Sequence, residues 1–250
     1  MKDNEIAHSE ASLHVDFHEM LAGPAMAREQ MESRSQLRSQ FIAAVTHGEF
    51  ALARFLIESL PHDKVGLRDI YLTLLEPAER EIRHLLHKAA LDPARAHLMT
   101  MLLQEIIEGF SPIIFGETSR PENVLVTTVP GELHEVSPRI VADLLEMEGF
   151  DTTLLSSPNS AGTIADSLQA GRFNAALLVV VTPSLMPAAV DVAADLRTVA
   201  DDYWLAVGGD ALRIKPRYLP DLEADAVFMD ASEALMVVKS FAGDADDRVD

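Results

Sequence analysis

An acid and a histidine stand two positions apart in the segment VTTVPGELHEVSPRI, where Glu132 precedes His134. A carboxylate that hydrogen-bonds one imidazole nitrogen fixes the tautomer and makes the other nitrogen a stronger donor to a metal. The pair therefore suits a histidine that acts as a ligand. The alternative is that both residues are surface loop positions, or that Glu132 caps the helix that follows.

Two further segments carry residues that suit a ligand site. VTPSLMP places hydroxyl groups at Thr182 and Ser184, and VGGD contains Gly208 and Gly209. Glycines let a bulky ligand approach the backbone closely, although a Gly-Gly pair after a strand is often only a tight turn. The segment LLHKAALDPARAHLMT adds two histidines ten residues apart. The remaining histidines form no recognised ligand spacing: His8, His14, His18, His47, His62 and His84.

Short apolar runs alternate with amphipathic runs from Asn123 onward, in five pairs that begin with NVLVTTV, DTTLLS, AALLVVV, YWLAVGG and ADAVFMD. Such pairs predict an α/β domain with a five-stranded parallel sheet and helices on both faces, in the flavodoxin-like order common at this length. Ligands of these sheets bind beyond the carboxyl ends of the strands. Glu132 and His134 follow the first strand, so we expect them at that edge.

Apolar residues at three- and four-residue spacing predict four helices between Gln36 and Phe115. Asp92 followed by Pro93 predicts a helix start, and Pro77 predicts a kink or a break. We therefore expect a flexible or partly helical arm at residues 1–34 and a helical cap domain at 35–115. GETSRPEN, residues 116–123, is the best linker candidate. The α/β domain then spans 122–242 and an acidic tail 243–250.

Composition excludes several classes of function. The 250 residues contain no cysteine, which excludes disulfides, thiolate nucleophiles and cysteine-bound metals. A formal charge of −20 repels a phosphate backbone, so direct nucleic-acid binding is not expected, while basic surfaces of DNA-bound proteins are possible partners. No signal peptide, membrane span or common catalytic motif is apparent, and we expect a cytoplasmic protein without enzymatic activity.

In this order, the three segments resemble the cobalamin-binding domain, whose pattern is Asp-x-His-x-x-Gly after strand one, Ser-x-Leu after strand three and Gly-Gly after strand four. Here the segments are ELHEVS, TPS and GG. The resemblance implies that His134 ligates cobalt from below, that the neighbouring acid tunes it, and that the nucleotide tail enters the sheet. It implies these cofactor contacts: Glu132, Leu133, His134, Ser137, Ser156, Thr182, Ser184, Gly208 and Gly209. Glu132 replaces the usual Asp, and Ser137 replaces a glycine and could crowd the corrin.

The helical segment resembles the four-helix caps of light-sensing cobalamin regulators, in which a Trp-His pair is followed nine residues later by Glu-His. Leu86-His87 and Ala96-His97 keep that spacing. The resemblance implies that Leu86, His87 and His97 face the upper side of the cofactor, with His87 as a possible upper ligand of cobalt. The alternative is that both histidines belong to an ordinary exposed helical face. Trp204, the only tryptophan, is expected in the core and not above the cofactor.

A cap followed by this domain on an acidic chain resembles the AerR/PpaA photosynthesis-gene antirepressor family. That resemblance implies a photoreceptor that binds hydroxo-, methyl- or adenosylcobalamin, responds to light and contacts a transcription repressor protein. Two alternatives remain open: a corrinoid methyl-carrier protein of a methyltransferase system, and a related sensor that binds haem. The oligomeric state is not predicted.

Overall fold

The structure is a computed structural model that describes residues 24–115, 119–156, 161–171, 173–199 and 203–246. The chain forms two compact units, residues 1–39 and 40–250. The first helix, α1 (Pro24–His47), begins inside the predicted arm and continues into the second unit. The rest of the arm, residues 1–23, lies outside the described residues.

The cap contains the four helical runs that the spacing predicts. After α1 come α2 (Phe50–Glu58), α3 (Lys64–Ile70), a π-helical segment (Tyr71–Leu75) that leads into α4 (Glu76–His87), and α5 (Pro93–Ile114). Asp92 starts α5 as predicted, because its carboxylate accepts hydrogen bonds from the backbone N–H groups of Ala94 and Arg95.

Pro77 does not end the helix in which it lies. A proline cannot donate the hydrogen bond that a regular α-helix needs, so its position requires a local change. The preceding turn has π-helical hydrogen bonding, and the flanking residues Ile70 and Glu76 keep helical backbone angles. The predicted kink or break is therefore a π-helical segment between α3 and α4.

A five-stranded parallel sheet follows the cap, with strand order β2-β1-β3-β4-β5. Its strands are β1 (Asn123–Thr128), β2 (Asp151–Leu155), β3 (Ala175–Val179), β4 (Trp204–Gly208) and β5 (Ala226–Phe228). The order is the predicted flavodoxin-like one. Thr128 is in register with Val179, and Val179 with Gly208, so the carboxyl ends of β1, β3 and β4 lie side by side.

Helices cover both faces of the sheet. One apolar core joins the sheet to α7 (Ala161–Gly171) and α8 (Met186–Val199). The other face is covered by α6 (Val136–Met147) and α10 (Ala231–Asp246), while the short α9 (Asp210–Ile214) follows β4. The three inner strands β1, β3 and β4 are buried on both sides because both sides are covered. The last helix runs beyond residue 242, the predicted end of the domain.

Trp204 is half-buried and stacks on Phe241 of α10, with ring centroids 5.0 Å apart, as expected of a packing residue. The end of the predicted linker is fixed to the domain, because the N–H groups of Ser119 and Arg120 both donate to the Gly149 carbonyl. Residues 116–118 lie outside the described residues. Among the described helices, none combines the length and the apolarity that crossing a membrane requires.

Candidate functional site

The loop between β1 and α6 carries the Glu132–His134 pair at the carboxyl edge of the sheet. Gly131 has a φ of 86°, a left-handed conformation that favours glycine, and the Glu132 N–H donates to the Val129 carbonyl at 3.1 Å. This turn directs the chain back across the ends of the strands. Helix α6 then begins without a side-chain cap, so Glu132 does not serve as a helix cap.

Glu132 is completely buried and accepts six hydrogen bonds. Its Oε1 receives the Nδ1 proton of His134 at 2.6 Å, the Thr182 hydroxyl at 2.9 Å and two N–H groups of its own loop. Its Oε2 receives the backbone N–H groups of Val181 and Thr182 at 2.9 and 2.8 Å. One carboxylate thus joins the loop after β1 to the loop after β3.

Glu132 keeps its negative charge in this buried place. Burial alone raises the pKa of a carboxyl group, but the hydrogen bonds from His134, Thr182 and Val181 outweigh burial and lower the pKa of Glu132 to about 2. The protein therefore holds a fixed anion beside the imidazole.

His134 is oriented by this anion and remains accessible. Because the ionised Glu132 carboxylate can only accept, Nδ1 is the nitrogen that donates to it, and Nε2 is the nitrogen left to bind another group. The side chain is 35% exposed. Among the described residues, none donates a hydrogen bond to Nε2. An imidazole that is held by a carboxylate through one nitrogen and is accessible through the other is the usual arrangement of a metal ligand.

The other predicted contacts at this edge are exposed to different degrees. Thr182 belongs to the Glu132 cluster, as described above. Leu133 is 79% exposed at the tip of the loop, an unusual position for a large apolar side chain. Ser184 is exposed in the turn Pro183–Leu185, and Ser156 is exposed directly after β2. All these residues follow strand ends, so the structure places them along the predicted edge.

Gly208 and Gly209 have a packing role that the sequence did not indicate. A Cβ atom on Gly208 would lie 2.0 Å from the Phe228 carbonyl oxygen, and one on Gly209 would lie 2.6 Å from the Val180 carbonyl oxygen. Gly209 also has a φ of 117°. The position that a Cβ atom would take at each glycine is therefore occupied by protein backbone.

Ser137 makes a contact with the cap. Its hydroxyl lies in the first turn of α6 and donates to Glu79 Oε2 of the cap at 3.2 Å. Glu79 in turn pairs with Arg83, and Arg83 Nη1 pairs with Asp210 of α9 at 2.7 Å. Sequence reasoning missed this network, because Arg83 and Asp210 are far apart in the chain.

Two histidines of the cap, His87 and His97, lie on helix faces that approach this edge. His87 follows Glu79 and Arg83 at four-residue spacing, so it shares the α4 face that contacts Ser137 and Asp210. His97 shares a face of α5 with Gln104, whose amide donates to Glu135 Oε2 at 3.2 Å. Both histidines are exposed, and Leu86 is half-buried. No contact between either histidine and His134 is present in the described part of the chain.

Two observations test whether these residues fit a cobalamin. The donor set fits, because His134 offers one accessible nitrogen on a ring that Glu132 orients. In addition, the buried hydroxyl of Thr128, at the end of β1, has no hydrogen-bond partner. Strand alternation places that hydroxyl on the face covered by α6, opposite Thr127. One accessible histidine and an unpaired buried hydroxyl at the carboxyl end of β1 are compatible with a corrinoid.

Of the comparisons with known proteins, the one with solved structures supports the fold. No protein-family model matches the sequence, and a search of curated proteins finds no significant match. Among solved structures, the monomethylamine corrinoid protein of Methanosarcina barkeri is similar, with a TM-score of 0.68 and 16% identity over 82% of this chain and 97% of that chain. This similarity shows that the chain shares the fold of a corrinoid protein.

Two further structures match less well. One is a cobalamin-binding protein from Desulfitobacterium hafniense DCB-2, with a TM-score of 0.44 and 13% identity over 80% of this chain and 96% of that chain. The other is the methanol:cobalamin methyltransferase complex MtaBC from Methanosarcina barkeri, with a TM-score of 0.46 and 16% identity over 96% of this chain and 94% of that chain.

Proposed function

We propose that the chain binds a corrinoid through His134 and acts as a corrinoid-dependent regulator without catalytic activity. The observation that carries the first part is the arrangement of Glu132, His134 and Thr182, with Nε2 of the imidazole accessible at the carboxyl edge of the sheet. His134 is the lower axial ligand in this proposal, and Glu132 orients its imidazole. A bound corrinoid would supply a cobalt centre with an exchangeable upper ligand.

The cap supplies the upper side of the proposed site. His87 and His97 lie on the α4 and α5 faces whose neighbouring residues contact α6, α9 and the loop after β1. Leu133 and Met101 are exposed apolar side chains on the loop and on α5, and apolar surface suits the edge of a corrin ring. We propose His87 as the residue that can reach an upper position.

The regulatory part rests on the resemblance to the AerR/PpaA family and on the charge of the chain. A formal charge of −20 favours a partner with a basic surface, which DNA-binding repressors have. In this proposal the partner is a transcription repressor protein, the response depends on light, and hydroxo-, methyl- or adenosylcobalamin is the cofactor. A ligand that binds one conformation of the chain more tightly changes the affinity for such a partner, and the coupling is reciprocal.

A methyl-carrier protein is the second candidate. The specific support for it is the fold shared with the monomethylamine corrinoid protein over nearly the whole of that chain. A carrier needs the same lower ligand, so the described site fits both candidates.

Visible spectra recorded after gel filtration test which cofactor the chain binds and whether His134 is required. We expect hydroxocobalamin to elute with the wild-type protein and His134→Ala to lose most of that binding. His47→Ala is the matched control, because His47 is an exposed histidine of the cap whose Nδ1 lies 2.8 Å from the Ala43 carbonyl oxygen of its own helix. Equal binding by wild type and His134→Ala would contradict the assignment, and haem retention in place of corrinoid would favour the haem sensor. Spectra of His87→Ala that match wild type would exclude His87 as a ligand.

Capture of protein partners from a lysate distinguishes the regulator from the methyl-carrier protein. Apo and hydroxocobalamin-loaded protein are used to capture proteins from a native lysate, in light and in darkness. The regulator hypothesis predicts that one DNA-binding protein is recovered in a cofactor- or light-dependent amount. Equal recovery in every state, or transfer of a methyl group from the methylcobalamin-loaded protein to an added thiol, would favour the carrier.

A further inference from the structure

Helix α4 of the cap lies directly on the carboxyl edge of the sheet. Glu79 Oε2 accepts the Ser137 hydroxyl at 3.2 Å, and Arg83 Nη1 donates to Asp210 Oδ2 at 2.7 Å. The cleft beside these contacts has room for about one water molecule. A flat macrocycle between α4 and the strand ends therefore requires both contacts to separate.

Few apolar side chains hold α4 in this place. Of its 12 residues, all of which the structure describes, two apolar ones are buried: Ala78 and Ile82. The turn that precedes α4 is held more firmly, because Tyr71, Leu74 and Leu75 are at most 2% exposed. A segment with few buried apolar contacts opens at a lower free energy than the core beside it.

Charged groups join α4 to the short helix α9. Besides Arg83, Arg80 approaches Asp210, with Nε 3.5 Å from Oδ1, and Arg213 pairs with Asp210 within α9. Arg80 Nε is buried and has no hydrogen-bond partner among the described residues, which is costly in the closed arrangement. Asp210 directly follows Gly209, so these ion pairs connect α4 to the end of β4.

The backbone is irregular at both ends of α4. Before it, the segment Tyr71–Leu75 has π-helical hydrogen bonding, and Pro77 has no N–H group. After it, Ala89 has a φ of 54°, a left-handed conformation that is unfavourable for a residue with a Cβ atom. The backbone can therefore change at these two turns while α4 itself stays helical.

The neighbouring parts of the cap are anchored to α6. The Tyr71 hydroxyl donates to Asp143 Oδ2 at 2.6 Å, and Arg139 Nη2 donates to the Ser111 hydroxyl of α5 at 3.2 Å. Helix α5 also buries apolar side chains along most of its length. A movement of α4 is therefore possible without a movement of α5.

We propose that α4 is a strap that closes the cofactor site, and that the ion pair of Arg83 with Asp210 is its latch. The strap opens as an intact helix about two hinges, the Tyr71–Leu75 segment and the turn at Ala89. The proposal rests on the proposed corrinoid function and goes beyond it by assigning control of entry to this ion pair. Opening moves His87 outward with the helix, so the same motion makes room for a corrin beneath it. A bound corrinoid keeps α4 open, because only the open state admits it.

Distances between spin labels test the strap without a ligand. The chain contains no cysteine, so nitroxides attached to Lys88→Cys and Met236→Cys report α4 alone, and Leu98→Cys with Met236→Cys reports α5. All three positions are exposed. We expect one distance between positions 88 and 236 in the otherwise unchanged chain. Asp210→Asn and Arg83→Gln break the latch from opposite sides, and both should add a longer distance.

The pair at positions 98 and 236 should keep its distance in both variants. Arg54→Gln is the matched control, since it breaks an exposed ion pair of the cap with Glu105 and should change neither distance. Lengthening of both distances in Asp210→Asn would show that the whole cap moves, which would overturn the strap. An unchanged distance between positions 88 and 236 in both latch variants would overturn it as well.

Absorbance titration with hydroxocobalamin tests the control of entry. Apparent affinity scales with the open fraction, and one charge-assisted hydrogen bond changes such an equilibrium about tenfold. We therefore expect Asp210→Asn to bind about tenfold more tightly than wild type. A misfolded variant cannot gain affinity, so an unchanged or weaker affinity in Asp210→Asn would overturn the latch.

Ala89→Gly should act in the opposite direction. Glycine adopts the left-handed conformation without the cost of a Cβ atom, so the closed state is favoured and binding should weaken about threefold. Unchanged affinity in this variant would exclude the turn at Ala89 as a hinge.

The two kinds of measurement separate failure of the strap from failure of the proposed function. If wild type binds no corrinoid, the proposed function is wrong, and the label distances in the two latch variants still decide the strap. If wild type binds hydroxocobalamin and the distance between positions 88 and 236 does not lengthen, the proposed function stands and the strap is wrong.

Discussion

The length of the Glu132 side chain explains why a glutamate stands where the similar domain has an aspartate. Oε1 holds the imidazole of His134, and the second oxygen reaches past it to the N–H groups of Val181 and Thr182. A carboxylate buried without partners would be costly, and these bonds compensate for its desolvation. The substitution therefore ties the position of the imidazole to the loop after β3.

Replacing Glu132 by the shorter aspartate tests whether one side chain must bind both His134 and the loop after β3. Glu132→Asp cannot reach both His134 and the loop after β3, so we expect a loss of about 1–3 kcal/mol in the free energy of unfolding. Urea denaturation followed by Trp204 fluorescence measures it. Glu105→Asp, at an exposed carboxylate of the cap, is the control and should change little. Unchanged stability in Glu132→Asp would show that the second oxygen has no structural role.

Asp210 gives the chain a measurable dependence on pH. Burial alone raises the pKa of this carboxyl, but Arg83 and Arg213 outweigh burial and lower the pKa below its ordinary value of 3.8. A lowered pKa contributes stability that is present above about pH 4 and is lost as the pH falls through the folded-state value. Asp210→Asn should thus cost about 1–3 kcal/mol at pH 7 and progressively less below pH 4. A cost that is the same at pH 3 and pH 7 would contradict this.

For single residues, the sequence predicts which side chains meet at the ends of the strands. It does not predict the contacts that helix α4 of the cap makes with this edge. Glu132, His134 and Thr182 follow strands, and parallel strands align their carboxyl ends, so their proximity follows from topology. Arg83 and Asp210 meet only because α4 lies across the sheet edge. Nothing in the spacing of a single sequence specifies how one helix crosses another element.

Among the elements, β5 is the one whose packing depends most on a neighbouring glycine. It has three residues, Ala226–Phe228, and its end lies against Gly208 of β4. Since a side chain at Gly208 would overlap the Phe228 backbone, the close approach of these strands requires glycine. The Gly-Gly pair is therefore a requirement of the sheet edge, whatever the ligand.

A pair of glycine substitutions tests this explanation. Gly208→Ala should destabilise the chain by about 3 kcal/mol, because the new methyl group would overlap backbone atoms that cannot move aside. Gly109→Ala is the matched control, since no atom lies within 4 Å of its added Cβ and alanine favours the helix, which should add up to about 1 kcal/mol. Urea denaturation measures both. Equal stabilities of the two variants would show that β5 adjusts to a side chain.

The elements themselves could largely be predicted, because apolar runs and helical spacing report burial directly. All five strands and the helical runs of the cap are where the patterns indicated. The beginning of α1 at Pro24 was missed, since its polar first turns carry no apolar periodicity. The π-helical segment was indicated only as a disturbance at Pro77, because the sequence marks the proline and not how the backbone accommodates it.

For the second unit as a whole, the main question is whether the cap and the sheet behave as one body. A buried network joins them: the Tyr71 hydroxyl donates to Asp143 Oδ2 at 2.6 Å, and Arg139 donates to the other oxygen at 2.6 Å. Burial raises the pKa of Asp143, although both hydrogen bonds act against this. A charge in such a place is stable only while its partners stay, so separating the cap would leave it unpaired.

The second unit should therefore unfold in one step. Trp204 fluorescence reports the sheet, and hydrogen exchange of peptides from residues 70–87 reports the cap; we expect both to change at the same urea concentration. Tyr71→Phe removes one donor to Asp143 and should lower both transitions together by about 2 kcal/mol. Loss of protection in residues 70–87 before the change in Trp204 fluorescence would show that the cap opens independently. In that case a regulator could work by releasing the whole cap.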